Sequence, residues 1–253
     1  MPSLALDAGN SSVKAALWDG ARWSDVSRWP SAPASPEAWA ERLAALAGAA
    51  PVERVGLASV VPALTPALVA AARIAFGVEA AVVSAALPLP FRLAYRTPET
   101  LGADRLAAAA AAWHLNRKGD RPIIALDAGS AITTDVVSAE PAYLGGAILP
   151  GPDLLRRSLA RGTGQLPDVP WALLPSPIGG TTVEAIQAGL TTLVLDGVAG
   201  LLRRTAEALG AEPVVVATGG WAPWLAEHLD AIDRVEPTLV LDGVRLLTHA
   251  DAR

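Results

Sequence analysis

The sequence predicts an α/β protein made of two related lobes, and three observations predict it. The pentapeptide Ala-Leu-Asp-Ala-Gly occurs at residues 5–9 and again at 125–129, nearly half the chain apart. In both places a short apolar run leads into Asp-x-Gly, then small polar residues, then a second apolar run. That shared context favours duplication over coincidence in an alanine-rich chain. After each copy, strand-like apolar runs give way to helix-length stretches, the order expected of two α/β lobes. Finally, 253 residues that are 52% hydrophobic and 18% charged supply enough apolar side chain for two cores of ordinary size.

Taken in order, SLALD-AGNSS-VKAALW reads as a β-hairpin whose turn carries glycine and hydroxyl residues. Ser35-Pro36 opens a helix to about Gly48, with serine as N-cap and proline at the first helical position. Val52–Val61 reads as a strand, Leu64–Phe76 as a helix, and Leu101–Asn116 as a helix closed by Lys118-Gly119. The second hairpin is IIALD-AGSAITTD-VV. Helices follow at Asp153–Arg161 and Thr182–Leu209, the latter long enough for a break near Gly197–Gly200. Val214–Ala217 is a buried strand ending in Thr218-Gly219-Gly220, followed by helices from Pro223 and over Thr238–Thr248. The lobes are expected at 1–118 and 119–253.

Composition removes several classes of chemistry. With no cysteine there is no disulfide, zinc-thiolate, iron–sulfur cluster or thiol nucleophile. Three histidines, at 114, 228 and 249, are too dispersed for a histidine-built metal centre. A formal charge of −5 offers no general basic field for nucleic acid, so no nucleic-acid partner is expected. No uninterrupted apolar run reaches membrane-spanning length, and MPSLALDAG lacks the basic stretch and apolar core of a signal peptide. A soluble, cytoplasmic protein without a membrane partner is the expectation. Neither a P-loop, nor a G-x-G-x-x-G fingerprint, nor a G-x-S-x-G elbow, nor H-E-x-x-H occurs.

Phosphate handling would therefore fall to the hairpin turns. In Asp7-Ala8-Gly9-Asn10-Ser11-Ser12-Val13-Lys14 the glycine exposes backbone N–H groups, Asn10, Ser11 and Ser12 add donors, and Lys14 adds charge. Asp7, at a strand end, could hold Mg²⁺ directly or through water. In the second copy Ser130, Thr133 and the backbone could meet phosphates, and Asp127 a cation. Two readings stand for each turn, because the same residue types build ordinary hairpins. Gly219-Gly220 permits close backbone approach to a flat ligand such as adenine, or serves as a plain connection. Asp104 beside Gly102 and Arg105 either complements a helix dipole or accepts a hydroxyl proton, with Arg105 forking onto a carboxylate.

Together these segments resemble the type III pantothenate kinase family. DAGNSSVK is similar to its D-x-G-N-T phosphate motif, TPETLGADR to its G-x-D-R substrate motif, and LDAGSAITTD to D-x-G-T-A-x-T-x-D. YLGGAILPG followed by TGQLP, then IGGTTVEAIQAG, VVATGG and PTLVLDGV continue the resemblance in order from residue 4 to 244. The resemblance implies two duplicated lobes of the acetate and sugar kinase/Hsp70/actin (ribonuclease H-like) type with a nucleotide cleft between them. It implies ATP-dependent phosphorylation of pantothenate, the first step towards coenzyme A, by a homodimer requiring Mg²⁺ and a monovalent cation, K⁺ or NH₄⁺. Matched by position, Asp7, Ala8, Gly9, Asn10, Ser11, Ser12, Val13, Lys14 and Ser130 would bind ATP, and Tyr95, Gly102, Ala103, Asp104, Arg105 and Thr182 pantothenate. Asp104 would be the general base and Asp127 the monovalent-cation ligand.

The chain departs from the family pattern at Ser11 and Ser130, where threonine is usual, and at Thr181, where asparagine is frequent. Each serine keeps the hydroxyl donor and loses a methyl. Two other readings share the resemblance: a non-enzymatic transcription accessory factor, and a kinase of the same fold for another small alcohol. Retention of Asp7, Asp104 and Asp127 speaks against the first, and Tyr95 with G-x-D-R against the second. The eight tryptophans are read as core or surface anchors. The alanine run of Leu106–Leu115 is read either as core or as a dimer face.

Overall fold

The structure, a computed structural model, describes residues 2–248. These divide into two compact units. Unit 1 holds the residues up to Lys118, Pro141–Leu144 and the described residues from Thr238; unit 2 holds Gly119–Glu140 and Gly145–Pro237.

In unit 1 a five-stranded sheet runs in the order β3-β2-β1-β4-β5. The strands are β1 (Ser3–Ala8), β2 (Ser12–Trp18), β3 (Ser27–Pro30), β4 (Arg54–Ser59) and β5 (Ala80–Val82). β1 pairs antiparallel with β2 and parallel with β4. All six residues of β1 are buried, as a central strand covered on both faces requires. Leu4 and Leu6 face a core shared with Trp39 and Leu43 of α1 (Pro36–Ala47) and Leu68 of α2 (Thr65–Phe76). Ser35 caps α1 by accepting from the Ala38 amide, with Pro36 at the first position.

The alanine run lies in α3 (Ala103–Asn116), and Ala107–Ala112 are all essentially inaccessible. This is core, not a free face. The small side chains admit α7 (Leu239–Thr248) to backbone contact: a Cβ on Gly243 would lie 1.9 Å from the Ala107 carbonyl oxygen. On β4, a Cβ on Gly56 would lie 2.3 Å from Thr248 Oγ1. These contacts put α7 in unit 1, whereas the sequence division at 118/119 assigned it to the second lobe. One further segment expected in the second lobe, Pro141–Leu144, also belongs to unit 1, where Ala142 and Tyr143 pair parallel with β6 (Arg92–Leu93).

Unit 2 repeats the opening of unit 1. β7 (Ile123–Ala128) pairs antiparallel with β8 (Ala131–Val137) and parallel with β10 (Val214–Thr218), as β1 does with β2 and β4. The remaining elements of unit 2 are β9 (Ala142–Pro150) from Gly145 onward, α4 (Pro152–Gly162), α5 (Thr182–Leu209), α6 (Ala222–His228) and β11 (Arg234–Val235). α5 runs unbroken through the expected interruption. Nothing lies within 4 Å of a Cβ placed on Gly197 or Gly200, so neither glycine admits a neighbour that would bend the helix. Its start is fixed by a capping box: Thr181 Oγ1 accepts from the Glu184 amide, and Glu184 accepts from Thr181.

By length and composition α5 is apolar enough to cross a membrane, with a mean hydropathy of 1.5 over 18 residues. One stripe, Val194, Val198 and Leu202, packs into the core with Ile124 and Leu126. The strands that sequence periodicity missed are β3, β5, β6, β9 and β11. β3 is a polar edge strand of alternating exposure, β6 and β11 are two residues long, and β9 carries two glycines.

Candidate active site

The first turn is built by β1 and β2. Asp7 and Lys14 are direct cross-strand partners, and Lys14 Nζ donates to Asp7 Oδ2 at 3.1 Å. Asp7 is 4% exposed. Beyond it the Gly9 amide closes the turn on the Ser12 carbonyl at 3.1 Å, and Ser31 anchors it from β3's side by donating to the Gly9 carbonyl. Asn10 and Ser11 are exposed and Ser12 partly so, which leaves their donors at the surface. Ala8 and Val13 are wholly buried, and the Ala8 carbonyl accepts from the Val60 amide. Those two residues shape the turn from beneath.

At the start of α3, Asp104 Oδ1 accepts from the Arg105 amide at 2.7 Å. A Cβ on Gly102 would sit 2.6 Å from that same oxygen, so glycine is what lets the carboxylate fold back over the helix start. Ala103 is buried and seats the first turn. Burial raises the Asp104 pKa above the usual carboxylate range; its own bond from the Arg105 amide opposes the rise, the nearby Asp7 charge adds to it, and the Arg105 charge opposes it. Unit 1 thus brings Asp7, Lys14, Gly102, Asp104 and Arg105 into one electrostatic neighbourhood. Tyr95 belongs to the same unit. Its ring meets Tyr143 edge-on at 5.8 Å, and the buried Tyr143 stacks on Phe91 at 6.0 Å.

In unit 2 the equivalent turn is clamped by backbone. The Gly129 amide donates to the Ala131 carbonyl, the Gly151 amide to Ser130, and the Trp221 amide to Ala128. A Cβ on Gly151 would stand 2.2 Å from the Gly129 oxygen. One on Gly219, at φ +93°, would stand 2.5 Å from both the Ala128 oxygen and Asp127 Oδ1. Asp127, Gly129, Ser130, Gly151 and Gly219 are therefore one cluster. Across from Asp127 the cross-strand partner is Thr133, where the first hairpin has Lys14. Thr182, the first residue of α5, is exposed and lines a mostly apolar cavity of about 630 Å³ with Leu155, Leu159, Leu166 and Leu190.

Thr181, one of the three departures, is the N-cap of α5. Either residue type at this position serves a cap, since Asn and Thr both accept from the following turn. Among the described residues no group of three or more His, Asp or Glu side chains could hold a metal ion. Asp7 and Asp127 are single carboxylates, one in each hairpin, and Asp127 Oδ1 lies against the Gly219 backbone.

Sequence reading missed three supports of this site: Gly151 against the second turn, the Phe91–Tyr143–Tyr95 stack, and the Thr181/Glu184 box. The last had a local signal, Thr-x-x-Glu before an apolar run, while Tyr143 and Gly151 lie in the YLGGAILPG stretch without anything to show what they pack against. Seven of the eight tryptophans meet another tryptophan: Trp18 with Trp23, Trp29 with Trp39, and Trp221 with both Trp171 and Trp224 edge-on, and Trp171 with Trp224 at a tilt.

Residues 3–204 match the family model described as type III pantothenate kinase. A type III pantothenate kinase of Chlorobaculum parvum is 36% identical over 260 residues, covering 98% of this chain and 95% of the relative. Among solved structures, a ROK hexokinase from Thermus thermophilus superposes with a TM-score of 0.54 at 18% identity, over 98% of this chain and 99% of that one. A Campylobacter jejuni protein assigned to the Baf family of transcriptional activators gives a TM-score of 0.59 at 21% identity, over 96% of each chain. These two likenesses establish the fold, that of the sugar kinases and their two-lobed actin-like relatives, while the family match and the near-full-length relative establish membership: the chain belongs to the type III pantothenate kinase family.

Proposed function

We propose that the chain carries out its family's reaction, ATP-dependent phosphorylation of pantothenate to 4′-phosphopantothenate, with Asp104 as the general base. The observation that carries this assignment is a partly buried carboxylate at the start of α3, raised in pKa and fixed by the Arg105 amide. A base tuned upwards towards neutrality takes a hydroxyl proton more effectively than an ordinary aspartate. Phosphoryl transfer through a loose transition state needs little covalent help, so the other residues position and neutralise.

We assign ATP phosphates to the first turn, Asp7 to Lys14, and to Ser130 of the second. Exposed donors on a rigid, buried base support that assignment. Pantothenate is assigned to Tyr95, Gly102 to Arg105 and Thr182. We assign Mg²⁺ to Asp7 and K⁺ or NH₄⁺ to Asp127; when bound, such cations neutralise phosphate charge. A cytoplasmic homodimer completes the proposal. Exposed apolar side chains on unit 2, Ile178 at 84% and Leu193 at 56%, support a subunit contact.

Coupled ADP release with pantothenate, against a panel of sugars, with and without K⁺, tests the whole assignment. Turnover with pantothenate alone, stimulated by K⁺, is expected. Turnover with a sugar would point to another alcohol, and none with any acceptor to a non-enzymatic role. Arg105→Lys is expected to raise the pantothenate KM by about tenfold or more and leave the ATP KM near native, since an ammonium cannot fork onto a carboxylate. Equal losses for both substrates would remove Arg105 from the carboxylate.

A further inference from the structure

We propose that Lys14 is an exchangeable counter-ion, which holds Asp7 while the nucleotide is away and passes to the nucleotide's phosphates only when a cation replaces it at Asp7. The proposal rests on the assignment of ATP to the first turn and adds a coupling between two loading events.

The geometry is asymmetric. Asp7 is fixed: it lies in a central strand, 4% exposed, with ladder partners on both sides. Lys14 is its direct partner across the hairpin, 3.1 Å away, but 24% of its side chain stays exposed at the foot of the Gly9–Ser12 turn. A flexible four-carbon stem with three rotatable donors can leave such a partner without moving the backbone. Arginine would fork onto the carboxylate and hold it. This chain uses arginine almost everywhere else, having lysine only at 14 and 118. The same ladder position in the second hairpin carries Thr133, so the duplicated fold does not require a cation there.

Charge then imposes the coupling. If Lys14 left for phosphate and nothing replaced it, Asp7 would remain as a buried, unpaired carboxylate close to Asp104, an arrangement that is strongly unfavourable. Asp7 would escape that penalty if it held a divalent cation such as Mg²⁺ in place of the lysine. By linkage, the cation must favour the move of Lys14 as much as the move favours the cation.

Two lysines make the test direct. The protein is labelled with ¹³Cε-lysine, and Lys118→Arg assigns the two resonances. The Lys14 resonance is expected to shift on adding the non-hydrolysable analogue AMPPNP with Mg²⁺. AMPPNP in EDTA, or Mg²⁺ alone, is expected to move it by less than a third as much. A thermal-shift titration on the same samples reports binding independently. A bound analogue with an unmoved Lys14 resonance would make the pair a permanent strut and overturn the proposal. An equal shift in EDTA, with binding, would overturn the coupling. No binding under any condition would instead overturn the assignment of ATP to the turn.

Discussion

Asp104→Asn is expected to lower kcat by about 10²–10⁴-fold, the usual contribution of a positioned general base. The substitution is nearly isosteric, and an asparagine Oδ1 can still accept from the Arg105 amide, the bond that holds the side chain at 2.7 Å. The helix start is therefore kept, and the KM values for ATP and pantothenate should change by less than about threefold. The pH profile gives a second readout. Burial raises the Asp104 pKa, so the acid limb of kcat should lie above the ordinary carboxylate range, with rate rising as the group ionises. The variant should lose that limb.

Stability moves the other way. A carboxyl with a raised folded pKa binds its proton more tightly when folded than when unfolded. Stability therefore falls as pH rises from the unfolded pKa through the folded one, and the cost persists at neutral pH. Asn carries no such cost, so the variant should melt no lower than the parent at pH 7 and lose its advantage in acid. A variant with near-native kcat would remove Asp104 as the base; one that melts well below the parent would show that the carboxylate supports the fold.

Much of the architecture was legible because it depends on local pattern. The repeated Ala-Leu-Asp-Ala-Gly marks two hairpins with the same neighbours, and Ser35-Pro36 marks the start of α1 within a residue. What could not be read was association at long range. α7 has an unambiguous helical pattern, yet that pattern does not say which sheet it covers. The answer lies in Gly243 meeting the Ala107 backbone, a contact between residues more than half the chain apart. The alanine run was ambiguous for the same reason: without α7 beside it, a small-residue face serves a core or a partner equally well. At the site, residue types were legible and their mutual engagement was not. Asp7 and Lys14 read as two separate ligand-binding groups, whereas the hairpin register makes them each other's partner. Gly102 reads as room for a ligand, and nothing in the sequence says that it also makes room for Asp104's own oxygen.

The paired glycines after β10 show how one residue of a motif can be essential and its neighbour free. Gly219→Ala should destabilise unit 2 and disable the second turn, whereas Gly220→Ala should do neither. At Gly219 the backbone has φ +93°, outside the region an L-residue adopts comfortably, at a cost of about 1–3 kcal/mol. The added Cβ would also press within 2.5 Å of the Ala128 oxygen and Asp127 Oδ1. Overpacking of this kind costs about another 1–3 kcal/mol. The Ala128 carbonyl already accepts from the Trp221 amide at 3.0 Å, so it cannot retreat without breaking the entry to α6. Displacement falls on Asp127, the residue assigned to the monovalent cation. The alanine variant should therefore show a lower melting temperature and a weaker K⁺ stimulation of ADP release, with an ATP KM raised more than the pantothenate KM. Gly220 has nothing within 4 Å of its Cβ position and an ordinary φ, so its alanine variant controls for the loss of glycine itself. Native K⁺ stimulation in Gly219→Ala, alongside the lower melting temperature, would separate the turn's structural role from cation binding and take Asp127 out of the cation site.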